Sequence, residues 1–187
     1  MALRPAAPGT GIVFRRSDLG NVEIAAHWRN IVDSTLCTTL GDRTGTTIAT
    51  VEHLMAALAG LEVDNAVVEL DGPEVPVMDG SAAPFVFLLE CAGLVEQAAP
   101  RRAIKVLKPV SVGGKGNSAA LVPDEEFRVS FAIDFASGAI NRQELCFTLD
   151  TQSFKHDISR ARTFGFLLEV DQMRAAGRSA MLILAPE

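Results

Sequence analysis

The stretch TVEHLMAALAGLEVDNAVVELDGPEVPVMDGSAAPFVFLLECAG, residues 50–93, decides the fold class. Val51, Leu54, Met55, Leu58 and Leu61 recur at steps of three and four, which predicts one apolar stripe on a helix over 51–59. Gly60 is its natural stop. AVVEL at 66–70 is short, β-branched and followed by an Asp-Gly turn, as a strand should be. A second helix follows, with Asp79 or Ser81 as its cap and Pro84 in its first turn. Phe85, Leu88, Leu89 and Ala92 form its apolar face, and Gly93 ends it.

Working outward, GIVFRR (11–16) and VEIAA (22–26) read as strands bounded by Gly, Ser, Asp and Asn. TLCTTL (35–40) is rich in β-branched residues and runs into the turn GDRTG (41–45). Strands followed by helix, strand and helix place the helices on one face of a mixed sheet. On the other side, EQAAPRR (96–102) is a polar, proline-containing break and the expected boundary between a domain at 1–98 and a second at 102–187. Strands are expected at 103–112, 118–122, 127–135 and 144–149, with GGKGN (113–117) and ASGAIN (136–141) as turns. A third helix is expected at 167–176, closed by Gly177. The remaining RSAMLILAPE is mostly apolar.

The 187 residues are 48% hydrophobic and 21% charged, a soluble globular balance that should bury roughly 70% of the unfolded surface. A net charge of −6, with no basic run, excludes an electrostatic nucleic-acid binder. Cys37, Cys91 and Cys146 stand far apart without a CxxC pair, so neither a zinc knuckle nor a disulfide framework is indicated; they read as small buried hydrophobes. Neither a leader-like start nor 18 apolar residues in a row occurs, so no transmembrane segment and a cytoplasmic location are expected.

Three histidines bound the catalytic options. His53 directly follows Glu52 within an otherwise apolar helix, and both can reach a pocket at the helix edge. A zinc ligand beside a carboxylate base is one use of such a pair; the polar edge of a packed helix is the other. His156, in FKHDISR, reads as part of a solvated face, and His27 beside Trp28 as a half-buried packing residue. SRARTFGF (159–166) offers Arg160, Arg162 and Thr163 to an anionic ligand, or its arginines simply pair with nearby acids.

TLCTTL, the long stretch 50–94 and ISRARTFGF, in this order and spacing, resemble the UDP-3-O-acyl-N-acetylglucosamine deacetylases. These are zinc hydrolases that commit precursors to lipid A synthesis in Gram-negative bacteria. The resemblance implies an α+β fold of two sheet-and-helix sandwich domains, the first nearly complete here and the second incomplete, with the site between them. It implies Glu52 as general base, His53 as a Zn2+ ligand, Thr163 as a stabiliser of the oxyanion, and Phe164 beside the UDP-linked acylated glucosamine.

The family's other two zinc ligands lie in a HKxxDxxGD segment, which is not found here, and its amine-protonating histidine is also without a counterpart. The expectation is therefore a chain short at both ends, with an incomplete zinc site, that does not complete the reaction alone. The alternative is a non-catalytic remnant or interaction protein. It would stay monomeric like the family or associate through an uncovered face of the second domain.

Overall fold

The computed structural model describes residues 1–114, 116–138 and 140–165, and the backbone of 183–184. A four-stranded sheet is built from β1 (Ala2–Pro5), β2 (Ile12–Arg16), β3 (Val22–Ala25) and, much later, β7 (Ala66–Leu70). Its order is β1-β7-β2-β3, so β7 enters between the first two strands, antiparallel to β1 and parallel to β2. A parallel neighbour requires a long crossover. Here the crossover carries a small antiparallel sheet, β4 (Ile31–Asp33), β5 (Thr39–Gly41) and β6 (Thr47–Ile48), followed by α1 (Glu52–Gly60). After β7 comes α2 (Ala83–Ala92).

Alternation in β7 sends Ala66, Val68 and Leu70 inward. Val68 and Leu70 meet Phe14, Ile24, Leu54, Leu58, Phe85 and Leu89 in one continuous core. On α2 the buried residues are Phe85, Val86 and Leu89, whereas Leu88 is exposed. The buried stripe is thus turned toward Val86 relative to the expected face. The opposite face of the sheet is ionic: Arg15 donates to Glu23 (2.7 Å) and Glu69 (3.1 Å), and Arg4 also holds Glu69. Hydrogen bonding from Arg4, aided by Arg15, keeps the Glu69 carboxyl below the ordinary range.

Thr50, Ser81 and Ser159 are buried polar residues, and Arg16 is the buried charged one among the described residues. Its buried guanidinium grips Asp18 through two nitrogens (2.8 and 2.6 Å) and donates to the Thr47 carbonyl (2.9 Å), tying β2 to β6. The hydrogen-bonded pairing with Arg16 lowers the Asp18 pKa. Asp42, bonded by Thr44, and Asp150, bonded by Ser153, are lowered as well. A carboxylate depressed by folding stabilises above its unfolded pKa and loses that contribution as pH falls through its folded value. Thermal stability should therefore be flat from neutrality to about pH 5 and fall below about pH 4. Arg16→Met should lower Tm by several degrees and flatten that acid limb; an unchanged pH–Tm curve would count against the pairing.

The second half forms two hairpins, β8 (Val110–Gly113) with β9 (Ser118–Leu121), and β10 (Arg128–Asp134) with β11 (Arg142–Thr148). Their turns fall at the two Gly-containing segments the sequence indicates. Register makes β10–β11 two-faced. Val129, Phe131, Ile133, Leu145 and Phe147 share one side, while Arg128, Ser130, Asp134, Arg142 and Glu144 share the other. Phe131 is 65% exposed and Leu145 53% among the described residues.

The chain then returns to the first core. Asp150 and Ser153 cap a helical turn reciprocally at Thr151–Ser153, which widens into a π-turn at Phe154–Ile158. Phe154 is buried in the core, against Gly60 at the end of α1. Lys155 Nζ pairs with Glu90 of α2 at 2.6 Å. Finally, β12 (Phe164–Gly165) lies parallel to β13 (Ile183–Leu184).

Several expectations need correction. Residues 103–109 are not a strand: Ile104 and Leu107 are almost fully exposed and pair with nothing in the described sheets. Only Thr39 and Leu40 of the 35–40 region pair, with Gly41 of the expected turn, because β5 needs β4 and β6 on either side. β1 was not foreseen in Ala2–Pro5. The helix expected at 167–176 lies outside the described residues.

Candidate active site

The start of α1 is set by an unusual residue. Thr50 is buried and has a positive φ of 59°, a conformation that costs a β-branched side chain about 1–3 kcal/mol. Three hydrogen bonds hold it. Thr50 Oγ1 donates to Glu74 Oε1 (2.7 Å), Ala49 N–H to the Pro73 carbonyl (2.8 Å), and Val75 N–H to the Ala49 carbonyl (3.1 Å). Pro73 and Pro76 keep this part of the 71–80 loop extended.

Leaving that corner, the chain enters α1 at Glu52. Glu52 Oε2 accepts from the Thr38 N–H at 2.9 Å, and Val51 N–H donates to the Thr38 carbonyl at 3.3 Å. Glu52 Oε1 lies 4.0 Å from His53 Nε2, too far for a hydrogen bond. The Glu52 side chain is 36% exposed and that of His53 15%. One carboxylate oxygen is thus fixed by a backbone donor while the other stands beside an imidazole at a helix N-terminus, where negative charge is favoured.

Loop 71–80 also receives the arginine-rich segment. Thr163 N–H donates to the Gly80 carbonyl at 3.0 Å. Asp79 Oδ1 accepts from the Ser81 N–H (3.0 Å) and hydroxyl (2.7 Å), and Ser81 Oγ in turn accepts from Ala83 N–H (3.2 Å), the first residue of α2. The Ser81 bonds, with Arg162 nearby, hold Asp79 below the usual carboxylate range. The Phe164 ring stands edge-on to Phe135, centroids 5.6 Å apart.

Other sequence candidates lie elsewhere. His27 is exposed rather than half-buried: its ring lies against Trp28 and its Nδ1 accepts from the Arg29 N–H. His156 is exposed, in a groove between α2 and the π-turn with Glu90, Lys155 and Arg160. Cys91 and Cys146 are exposed and Cys37 is half-buried, so burial does not explain them. No group of three or more His, Cys, Asp or Glu able to hold a metal occurs among the described residues. His53 and Glu52 alone do not make a zinc site of three protein donors.

Sequence reasoning missed Thr38, Thr50 and Glu74. For Thr38 no signal existed, since its contribution is a backbone N–H. Glu74 had a faint one: an acid between two prolines, on backbone too stiff to turn away.

The family model for UDP-3-O-acyl N-acetylglycosamine deacetylase matches residues 1–181. The UDP-3-O-acyl-N-acetylglucosamine deacetylase of Acidithiobacillus ferrooxidans is 50% identical over 180 residues, covering 95% of this chain and 59% of the relative. That of Myxococcus xanthus is 51% identical over 178 residues (95% and 56%), and that of Shewanella sp. strain ANA-3 is 48% identical over 178 (94% and 58%). The chain spans a little over half the length of these curated relatives. A match of this extent embraces the 71–80 loop, the Glu-His helix that starts beside it and the threonine tethered to it. The chain belongs to the UDP-3-O-acyl-N-acetylglucosamine deacetylase family.

Proposed function

We propose that these residues serve hydrolysis of the N-acetyl group of UDP-3-O-acyl-N-acetylglucosamine, in the cytoplasm of a Gram-negative bacterium and in the service of lipid A synthesis. The observation that carries this reading is the shared anchoring on loop 71–80. Thr50, two residues ahead of Glu52, bonds to Glu74, and Thr163 bonds to Gly80. The helix that carries Glu52 and His53 and the distant segment that carries Thr163 and Phe164 are thereby tied to one loop. The division into domains at 1–98 and 102–187 belongs to the same reading.

In this reading Glu52 is the general base. With Oε2 occupied by Thr38, Oε1 is the oxygen that takes the proton from the attacking water. Thr163 offers its hydroxyl to the amide oxygen as negative charge develops there. Phe164, 38% exposed, gives the substrate an apolar contact. Loss of acetate leaves a free amine on the sugar. Zinc, when bound, would acidify the attacking water. His53 is its one proposed donor here; the described residues do not complete the set, and no step is assigned to it.

The test is a hybrid in which residues 1–181 replace the matching segment of the Acidithiobacillus relative. It should release acetate from UDP-3-O-acyl-N-acetylglucosamine; a folded, zinc-loaded hybrid that releases none overturns the reading. The apolar side of β10–β11 favours a second reading, an interaction protein that associates through this face. A concentration-dependent dimer of the chain, together with a silent hybrid, would support it. No helix among the described residues is long and apolar enough to cross a membrane.

A further inference from the structure

Glu74 is exposed, yet its carboxylate accepts from the hydroxyl of the buried Thr50. The donor, Thr50, occupies a left-handed conformation that threonine avoids. A strained residue persists where its surroundings over-determine it, and here a surface carboxylate and the Ala49–Glu74 bridge do so. The corner they fix is where α1 begins, so it sets the direction in which Glu52 leaves the chain. Within hydrogen-bonding reach of that direction lies the Thr38 N–H.

We propose that Glu74 is a positioning residue: by holding Thr50 in its strained conformation it keeps the Glu52 carboxylate docked on the Thr38 N–H with the other oxygen turned to the site. The role of Glu52 as base rests on the function proposed above; the docking does not. A purely superficial Glu74 would be replaceable at will. A positioning Glu74 tolerates only a side chain that still presents an oxygen to Thr50. Glutamine does, because its amide oxygen accepts the same hydrogen bond; alanine does not.

Two measurements decide the matter, amide exchange on the 187-residue chain and turnover of the hybrid described above. Amide hydrogen exchange should show Thr38 protected in the wild type and in Glu74→Gln, and exchanging at least about tenfold faster in Glu74→Ala, as in Glu52→Ala. Equal protection in Glu74→Ala and wild type overturns the proposal, whether or not the chain turns over. Acetate release should fall in kcat by about 10–100-fold in Glu74→Ala, as a small displacement of a reacting group does, with KM within about twofold and Glu74→Gln near wild type. An unchanged kcat in Glu74→Ala, where Glu52→Ala is inactive, also overturns it. Turnover that survives Glu52→Ala would instead strike at the proposed base while leaving the docking to the exchange result.

Discussion

Acetate release by the hybrid should fall by about 10²–10⁴-fold when Glu52 is replaced by alanine, the range over which a positioned general base contributes. Thermal unfolding should move little, because Glu52 is partly exposed and its helix-terminal charge is worth about 0.3–1 kcal/mol. Glu52→Gln separates two contributions. Glutamine keeps an oxygen for the Thr38 N–H, so the docked geometry survives, but it cannot take a proton at neutral pH. It should be nearly as inactive as alanine. Turnover in Glu52→Gln within about threefold of wild type would show that the carboxylate positions water without accepting its proton, and the base would have to be sought elsewhere.

The second large effect is structural and runs against ordinary propensity. A glycine near the end of a helix usually gains from substitution, since alanine is favoured by about 1 kcal/mol in a helix interior. Gly60→Ala should instead destabilise. A Cβ there would overlap the Phe154 ring at Cγ, Cδ1 and Cε1, and Phe154 is 5% exposed within the core. Either the ring leaves or α1 shifts. Phe154→Ala should cost about 3–5 kcal/mol, a fall in Tm on the order of 10 °C for a chain of this size. The double variant should be less than additive, because alanine at 60 fits once the ring is gone. Strict additivity in chemical denaturation would mean that the two residues are not in contact.

How much could be read beforehand follows from where each element gets its stability. α1, β7 and the two hairpins carry their own signals: the three–four spacing of Leu54, Leu58 and Leu61, the inward alternation of AVVEL, and the glycine-containing turns. Each came out at or near its expected limits except β8, which keeps only the end of the strand expected at 103–112. β1 could not be foreseen, because ALRP becomes a strand only by pairing with residues 66–69. Phe154 was hidden for a similar reason. FKHDISR looks solvated by composition, and the aromatic at its start is drawn inward by a glycine on a distant helix. At the site, Glu52, His53, Thr163 and Phe164 were recognisable as a family pattern. Thr38 and Thr50 act through a backbone N–H and a left-handed φ, properties that residue type does not announce.

The strand order has a consequence for how the protein is made. Since β7 lies between β1 and β2, neither can acquire its central partner until Leu70 has emerged from the ribosome. Until then β2 and β3 exist at most as an isolated hairpin, which is marginal in water. Non-local pairing of this kind is slow, because the loop must close before the contacts repay it. During synthesis the nascent chain therefore offers Phe14 and Ile24, later buried under α1 and α2, to any chaperone that binds apolar strands. Ribosome stalling just before residue 66 should trap a chaperone-bound, protease-sensitive chain, and stalling well beyond residue 93 a protected one.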